Sequence, residues 1–288
     1  MSQPDFMSLW NFSNPVETEK QFRELLESGG LETSDRQQLL TQIARTQGLQ
    51  GKFEDAHKTL NEVESSLDEQ PATVHIRYLL ERGRVFNSSK DTDKARPLFI
   101  EAWNTARDAN EDGLAVDAAH MAAITFGDKP NDAMQWNLKA LALAESSKQD
   151  SANRWLGSLY NNIGWTYHDK GDYTNALDTF QKALAWRQNQ KAPGPIRVAK
   201  WSVARTLRSL DKAEEALVIQ NELEEEYRKA GEEDGYVYEE LAECHLKLGT
   251  DVASKWFAKA HSSLSKDKWL VENEPDRIAR LKKLGNVE

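Results

Sequence analysis

The chain has 288 residues, 39% hydrophobic and 29% charged, with 37 Lys and Arg against 47 Asp and Glu, a formal charge of −10. A single cysteine, Cys244, excludes an intrachain disulfide and suits a reducing compartment. No apolar run reaches membrane-spanning length, and the acidic balance opposes non-specific binding to nucleic-acid phosphates.

The opening MSQPDFMSLWNFSNP lacks a basic and an apolar leader region, so no secretory signal and a soluble, cytoplasmic chain are expected. Asn14-Pro15-Val16-Glu17 reads as a helix start, with an N-cap, Pro at N1 and Glu at N3. That helix carries Phe22, Leu25 and Leu26 on one face and stops at Gly29-Gly30. Residues 1–32 are therefore expected to form an N-terminal segment and capping helix.

From there one spacing recurs. A small residue is followed about twelve positions later by another, then by a bulky and an apolar residue four and seven positions on. Ala44, Ala56, Leu60 and Val63 form the first copy, and Gly83, Ala95, Phe99 and Ala102 the second. An irregular third copy has Ala123, Ala133, Asn137 and Ala140, with a shorter stretch between helices. Gly164, Ala176, Phe180 and Ala183 form the fourth, Ala204, Ala216, Gln220 and Leu223 the fifth, and Ala242, Ala253, Phe257 and Ala260 the sixth. The first residues of the copies are separated by 39, 40, 41, 40 and 38 positions. Helices that cross closely need small residues at the contact and bulky ones beside it, so each copy reads as a helix pair. Pro275 opens a last helix with Ile278, Leu281 and Leu284 on one side, expected to close the array. One cap helix, twelve repeat helices and one closing helix are predicted.

The fourth copy, YNNIGWTYHDKGDYTNALDTFQKALAW, places Ile163, Gly164, Tyr167, Gly171, Tyr173, Ala176, Phe180 and Ala183 in the pattern W-x2-L-G-x2-Y…A-x3-F. In this the chain resembles the tetratricopeptide repeat (TPR) family. Gln188 stands where the pattern ends in Pro, and the period is nearer 40 than the family's usual length of about 34. The chain is similar in that respect to the longer repeats of kinesin light chains and bacterial peptide-sensing regulators. The resemblance covers residues 33–265, with 266–288 as a C-terminal capping helix and tail. It implies an all-α, right-handed superhelical solenoid of about six helix-turn-helix repeats with N- and C-terminal capping helices.

The resemblance also implies where ligands bind. The first helix of each TPR lines a concave groove, which here would present Arg77 and Arg84, His120, Asn161, Asn162, Trp165 and His168, then Trp201, Arg205 and Arg208. Arg45, Glu81, Glu239, Glu240 and Glu243 fall on the same face. By likeness to kinesin-type repeats, Asn162 is the best single contact, holding ligand backbone. Arginine suits carboxylates and aromatic faces give contact area, so an acidic or carboxylate-bearing peptide is the expected ligand. The competing reading is internal: an arginine can pair with Glu81 or Glu240 on the next helix, and Trp165 and Trp201 can pack between repeats. The three-repeat clamp by which chaperone-binding TPRs hold a terminal carboxylate is matched only at Asn162.

No phosphate-loop, dinucleotide or zinc-protease motif is present. No two of the six histidines are spaced three or four apart, so no helix offers a metal pair, and neither a metal nor a cofactor is expected. Cys244 reads as a small buried hydrophobe. The leading expectation is a non-enzymatic protein-protein interaction scaffold binding a peptide in the groove. The alternative is a sensor that holds a small peptide or metabolite there, and third an enzyme with a site assembled across repeats. A protein or peptide partner is expected, a nucleic acid is disfavoured, and oligomeric state is unreadable.

Overall fold

The computed structural model describes residues 6–127 and 129–287, all-helical with no strand among them. After a 3₁₀ turn at Phe6–Leu9 come α1 (Pro15–Glu27), α2 (Thr33–Leu49), α3 (Phe53–Glu64), α4 (Ala72–Ser88), α5 (Thr92–Asp108), α6 (Asp112–Ile124), α7 (Pro130–Ser146) and α8 (Asp150–Asn153). Then follow α9 (Leu156–Asp169), α10 (Tyr173–Gln190), α11 (Pro193–Ser209), α12 (Ala213–Lys229), α13 (Gly235–Lys247), α14 (Ala253–Leu264), α15 (Lys268–Asn273) and α16 (Pro275–Leu284). The predicted pairs are α2/α3, α4/α5, α6/α7, α9/α10, α11/α12 and α13/α14. The short helices α8 and α15 were not predicted. Packing divides the chain into two compact units, residues 1–159 and 160–288.

The recurring small residues are where the helices of a pair meet. Ala44, Gly83, Ala123, Gly164, Ala204 and Ala242 are all buried, as are Leu60, Phe99, Phe180 and Phe257 opposite them. Glycine is needed where the opposing ring lies closest. A Cβ on Gly83 would sit 2.7 Å from Phe99 Cε1, and one on Gly164 2.6 Å from Phe180 Cε1. In pairs three and five the aromatic position holds Asn137 and Gln220, both buried.

The turns repeat with the anchors. Seven residues after the anchor, Gly51, Lys90, Gly171, Asp211 and Gly249 all adopt positive φ, between 63° and 77°. This left-handed residue ends each first helix and lets the second fold back. Pair three departs from the rule. The expected shorter connection is instead a shorter helix: α6 stops at Ile124, one residue past its anchor, and α7 begins only at Pro130. Arg96 of α5 caps this early end, its Nη2 donating to the Thr125 carbonyl at 2.6 Å with the guanidinium over Phe126. Gly127 lies in the turn between α6 and α7.

At the start of α1, Asn14 Oδ1 accepts from the Glu17 N–H at 3.2 Å, and Phe22 is fully buried beside α2. At the other end Leu281 of α16 joins Phe257 and Leu264 in one core cluster. Of the described residues, no helix is long and apolar enough to cross a membrane.

Candidate peptide-binding face

In the first unit α2, α4 and α6 lie side by side as first helices. Their facing residues form a chain of ion pairs. Arg45 reaches Glu81 Oε1 at 3.4 Å, Arg84 donates to the same oxygen at 2.7 Å, and Arg84 Nη2 spans Asp117 Oδ1 and Oδ2 at 2.5 and 2.6 Å. Burial raises the Asp117 carboxyl, but the adjacent Arg84 and Arg45 outweigh it and hold the group below the usual carboxylate range. Arg84 was expected to meet a ligand. Its side chain is only 13% exposed and both ends are taken up by Glu81 and Asp117, so it is internal. Arg77 Nε donates to Gln38 at 3.1 Å. His120 stacks obliquely on Trp155 at 5.4 Å, and burial lowers its pKa against the opposing pull of Asp117. A cavity of about 220 Å³, lined by Arg45, Leu49, Glu81 and Met121, opens on this face.

The same face carries a segment of the chain itself. The Trp10 and Phe12 rings stack at 4.5 Å and 7°, and the Arg45 guanidinium lies 5.6 and 5.3 Å from their centres. Trp10 Nε1 donates to Gln42 Oε1 at 3.0 Å, its ring meets Phe22 edge-on, and Arg77 Nη1 contacts Met7 Sδ at 3.9 Å. Gln42 and Arg45 are groove positions implied by the TPR likeness. Their occupant was not foreseen, because Phe6, Trp10 and Phe12 belong to no repeat.

In the second unit Trp165 packs on Phe180 at 5.0 Å and on Trp201 at 5.8 Å, and Trp201 continues to Tyr236 at 6.2 Å. Trp201 Nε1 donates to the Tyr236 carbonyl at 3.2 Å. With Val198, Tyr227 and Tyr236 it lines a cavity of about 240 Å³. His168 Nε2 lies 3.0 Å from Ser209 Oγ, and burial lowers its pKa. Asn161 and Asn162 are half-buried in the same helix, and the Asn162 carbonyl accepts from Thr166. Arg208 grips Glu240 through Nε and Nη2 at 2.7 and 2.9 Å, and Arg205 Nε lies 3.2 Å from it. Arg277 and Arg280 of α16 pair with Glu239 and Glu243. The two tryptophans thus pack against aromatic neighbours, and the arginines beside them are balanced by acids on the next helix. A signal for this was present: Arg45 and Arg205 each follow an anchor by one, and Glu81 and Glu240 each precede the next by two.

Residues 157–190, essentially α9 and α10, match the family model described as tetratricopeptide repeat. A comparison with curated protein sequences returns no match. Among solved structures, the fold is similar to a STAND signal-transduction ATPase with a tetratricopeptide repeat sensor from Pyrococcus horikoshii (TM-score 0.73, 13% identity, covering 94% of this chain and 44% of that one). It is also similar to the apo form of RapI (0.69, 17%, covering 94% and 77%) and to BtubC (BKLC) from P. vanneervenii (0.61, 15%, covering 81% and 94%). Identities this low speak to fold alone. One tetratricopeptide repeat is thus recognised in residues 157–190, and the helix pairs on either side share the fold of these solved structures.

Proposed function

We propose that the protein is a non-enzymatic interaction scaffold that binds a peptide segment of a protein partner on the faces that its first helices make within each unit. The observation that carries this reading is the occupant already there: Phe6–Phe12 lies on Gln42, Arg45 and Arg77 through aromatic stacking, one indole hydrogen bond and cation–π contact. The row Trp165, Trp201 and Tyr236 offers the same kind of contact in the second unit.

An acidic or carboxylate-bearing ligand would be met by Arg45 and Arg205, whose side chains remain 26% and 31% exposed. Arg84 and Arg208 are held by their acids, so aromatic and hydrogen-bonding contacts are expected to dominate and salt dependence to be shallow. Asn161, Asn162 and His168 remain proposed contacts. The test is peptide selection from a random library on the whole protein, followed by hydrogen-exchange mapping of a retained peptide. Protection on α2, α4, α6, α9, α11 or α13 supports the reading. Protection confined to the second helices, or retention of no peptide, would sink it.

A further inference from the structure

The cavity of about 220 Å³ in the first unit lies between the C-terminal halves of α2, α4 and α6. Leu49, Val85 and Met121 give it apolar walls, and Arg45 and Glu81 give it polar ones, with Arg84 beside them. Glu81 is 2% exposed. Its Oε1 accepts from both Arg45 and Arg84, whereas its Oε2 has no hydrogen-bond partner. A buried carboxylate oxygen without a donor is an exception among folded proteins and is costly. It calls for an N–H or O–H from elsewhere. Arg45 carries five N–H donors and reaches Glu81 with one of them, at a long 3.4 Å, leaving capacity for an acceptor.

Charge narrows the choice. Arg45 and Arg84 are balanced by Glu81 and Asp117. A ligand ammonium entering here would face two guanidiniums, and a ligand carboxylate would face the Glu81 carboxylate. A neutral group with a donor and an acceptor side by side meets neither penalty.

We propose that this cavity is a subsite for a primary carboxamide, the end of a glutamine or asparagine side chain on a bound peptide. Its NH₂ donates to Glu81 Oε2, its carbonyl accepts from Arg45, and its methylenes lie against Leu49 and Met121. The proposal rests on the peptide-binding reading of this face and adds the side chain that the face selects.

The probes are N-acetyl-N′-methylamides of glutamine, glutamate, lysine and leucine, which share one backbone and differ in the side chain. Each is titrated into the full chain while the Leu49 and Met121 methyl signals are followed by NMR. The glutamine probe is expected to shift both signals saturably, and the other three to shift them at least fivefold less. Ser88→Trp, at an exposed position on the rim, is expected to block the shift without removing a buried partner. Glu81→Gln, if its methyl spectrum stays dispersed, is expected to abolish the shift because a donor nitrogen replaces an acceptor. No shift with glutamine, an equal shift with glutamate, lysine or leucine, or full retention in Ser88→Trp or folded Glu81→Gln overturns the proposal. If library peptides bind the face while the glutamine probe gives no shift, the subsite fails and the peptide reading stands. If the probe shifts both signals but no peptide is retained, the peptide reading fails and the carboxamide site stands.

Discussion

Arg84 spans both carboxylate oxygens of Asp117, at 2.5 and 2.6 Å, from one first helix to the next. Both groups are largely buried, so each depends on the other. Arg84→Met leaves Asp117 uncompensated and is expected to cost about 3–5 kcal/mol in urea unfolding, whereas Arg84→Met/Asp117→Leu recovers most of it. The pH dependence has a definite sign. Asp117 is held below its unfolded value of about 3.9, so its contribution is present above that pH and lost as pH falls through the folded value. The wild type is therefore expected to lose stability below about pH 4 more steeply than the double variant.

Gly164 and Phe180 are matched in volume. Gly164→Ala drives a methyl against Phe180 Cε1 and is expected to destabilise by about 1–3 kcal/mol. Gly164→Ala/Phe180→Leu recreates the Ala44 and Leu60 of the first pair and is expected to cost less than the two single changes added together. A thermal or urea double-mutant cycle measures the coupling.

Gln220 occupies the aromatic position of the fifth pair, fully buried, with neither amide atom hydrogen-bonded. Gln220→Leu, the residue of the first pair at that place, is expected to stabilise the chain by about 1–2 kcal/mol. Urea unfolding of the two proteins checks it, and a less stable variant would contradict it.

Burial, followed by the nearby Glu240, pushes the Cys244 thiol up to about 12, and the side chain is inaccessible. The native chain is expected to resist an aromatic disulfide reagent at pH 8 while the urea-unfolded chain reacts at once. Reaction of the native form should follow the rate of unfolding.

The stack was legible because a contact between two helices constrains both at a fixed separation. Ala44, Gly83, Gly164, Ala204 and Ala242 marked it, and Asn14-Pro15 and Pro275 marked the end helices. Helices α8 and α15 span four and six residues, too few to show a period. The candidate site was legible by residue type but only partly by role. Whether Arg208 meets a ligand or Glu240 depends on the relative height of two neighbouring helices, and the period alone does not specify side-chain reach. The Phe6–Phe12 segment escaped a periodic reading altogether. Its visible sign was aromatic density, Phe6, Trp10 and Phe12 within one short stretch before the cap.

The claim that peptides bind the first-helix face is tested most directly by calorimetric titration of a library-selected peptide. Wild type is compared with Arg45→Ala, Trp201→Ala and Glu214→Ala, the last an exposed change on second helix α12. The account predicts at least a tenfold loss of affinity, about 1.4 kcal/mol, in Arg45→Ala or Trp201→Ala, and a change within twofold in Glu214→Ala. Unchanged affinity in both first-helix variants, each folded by circular dichroism, would contradict it.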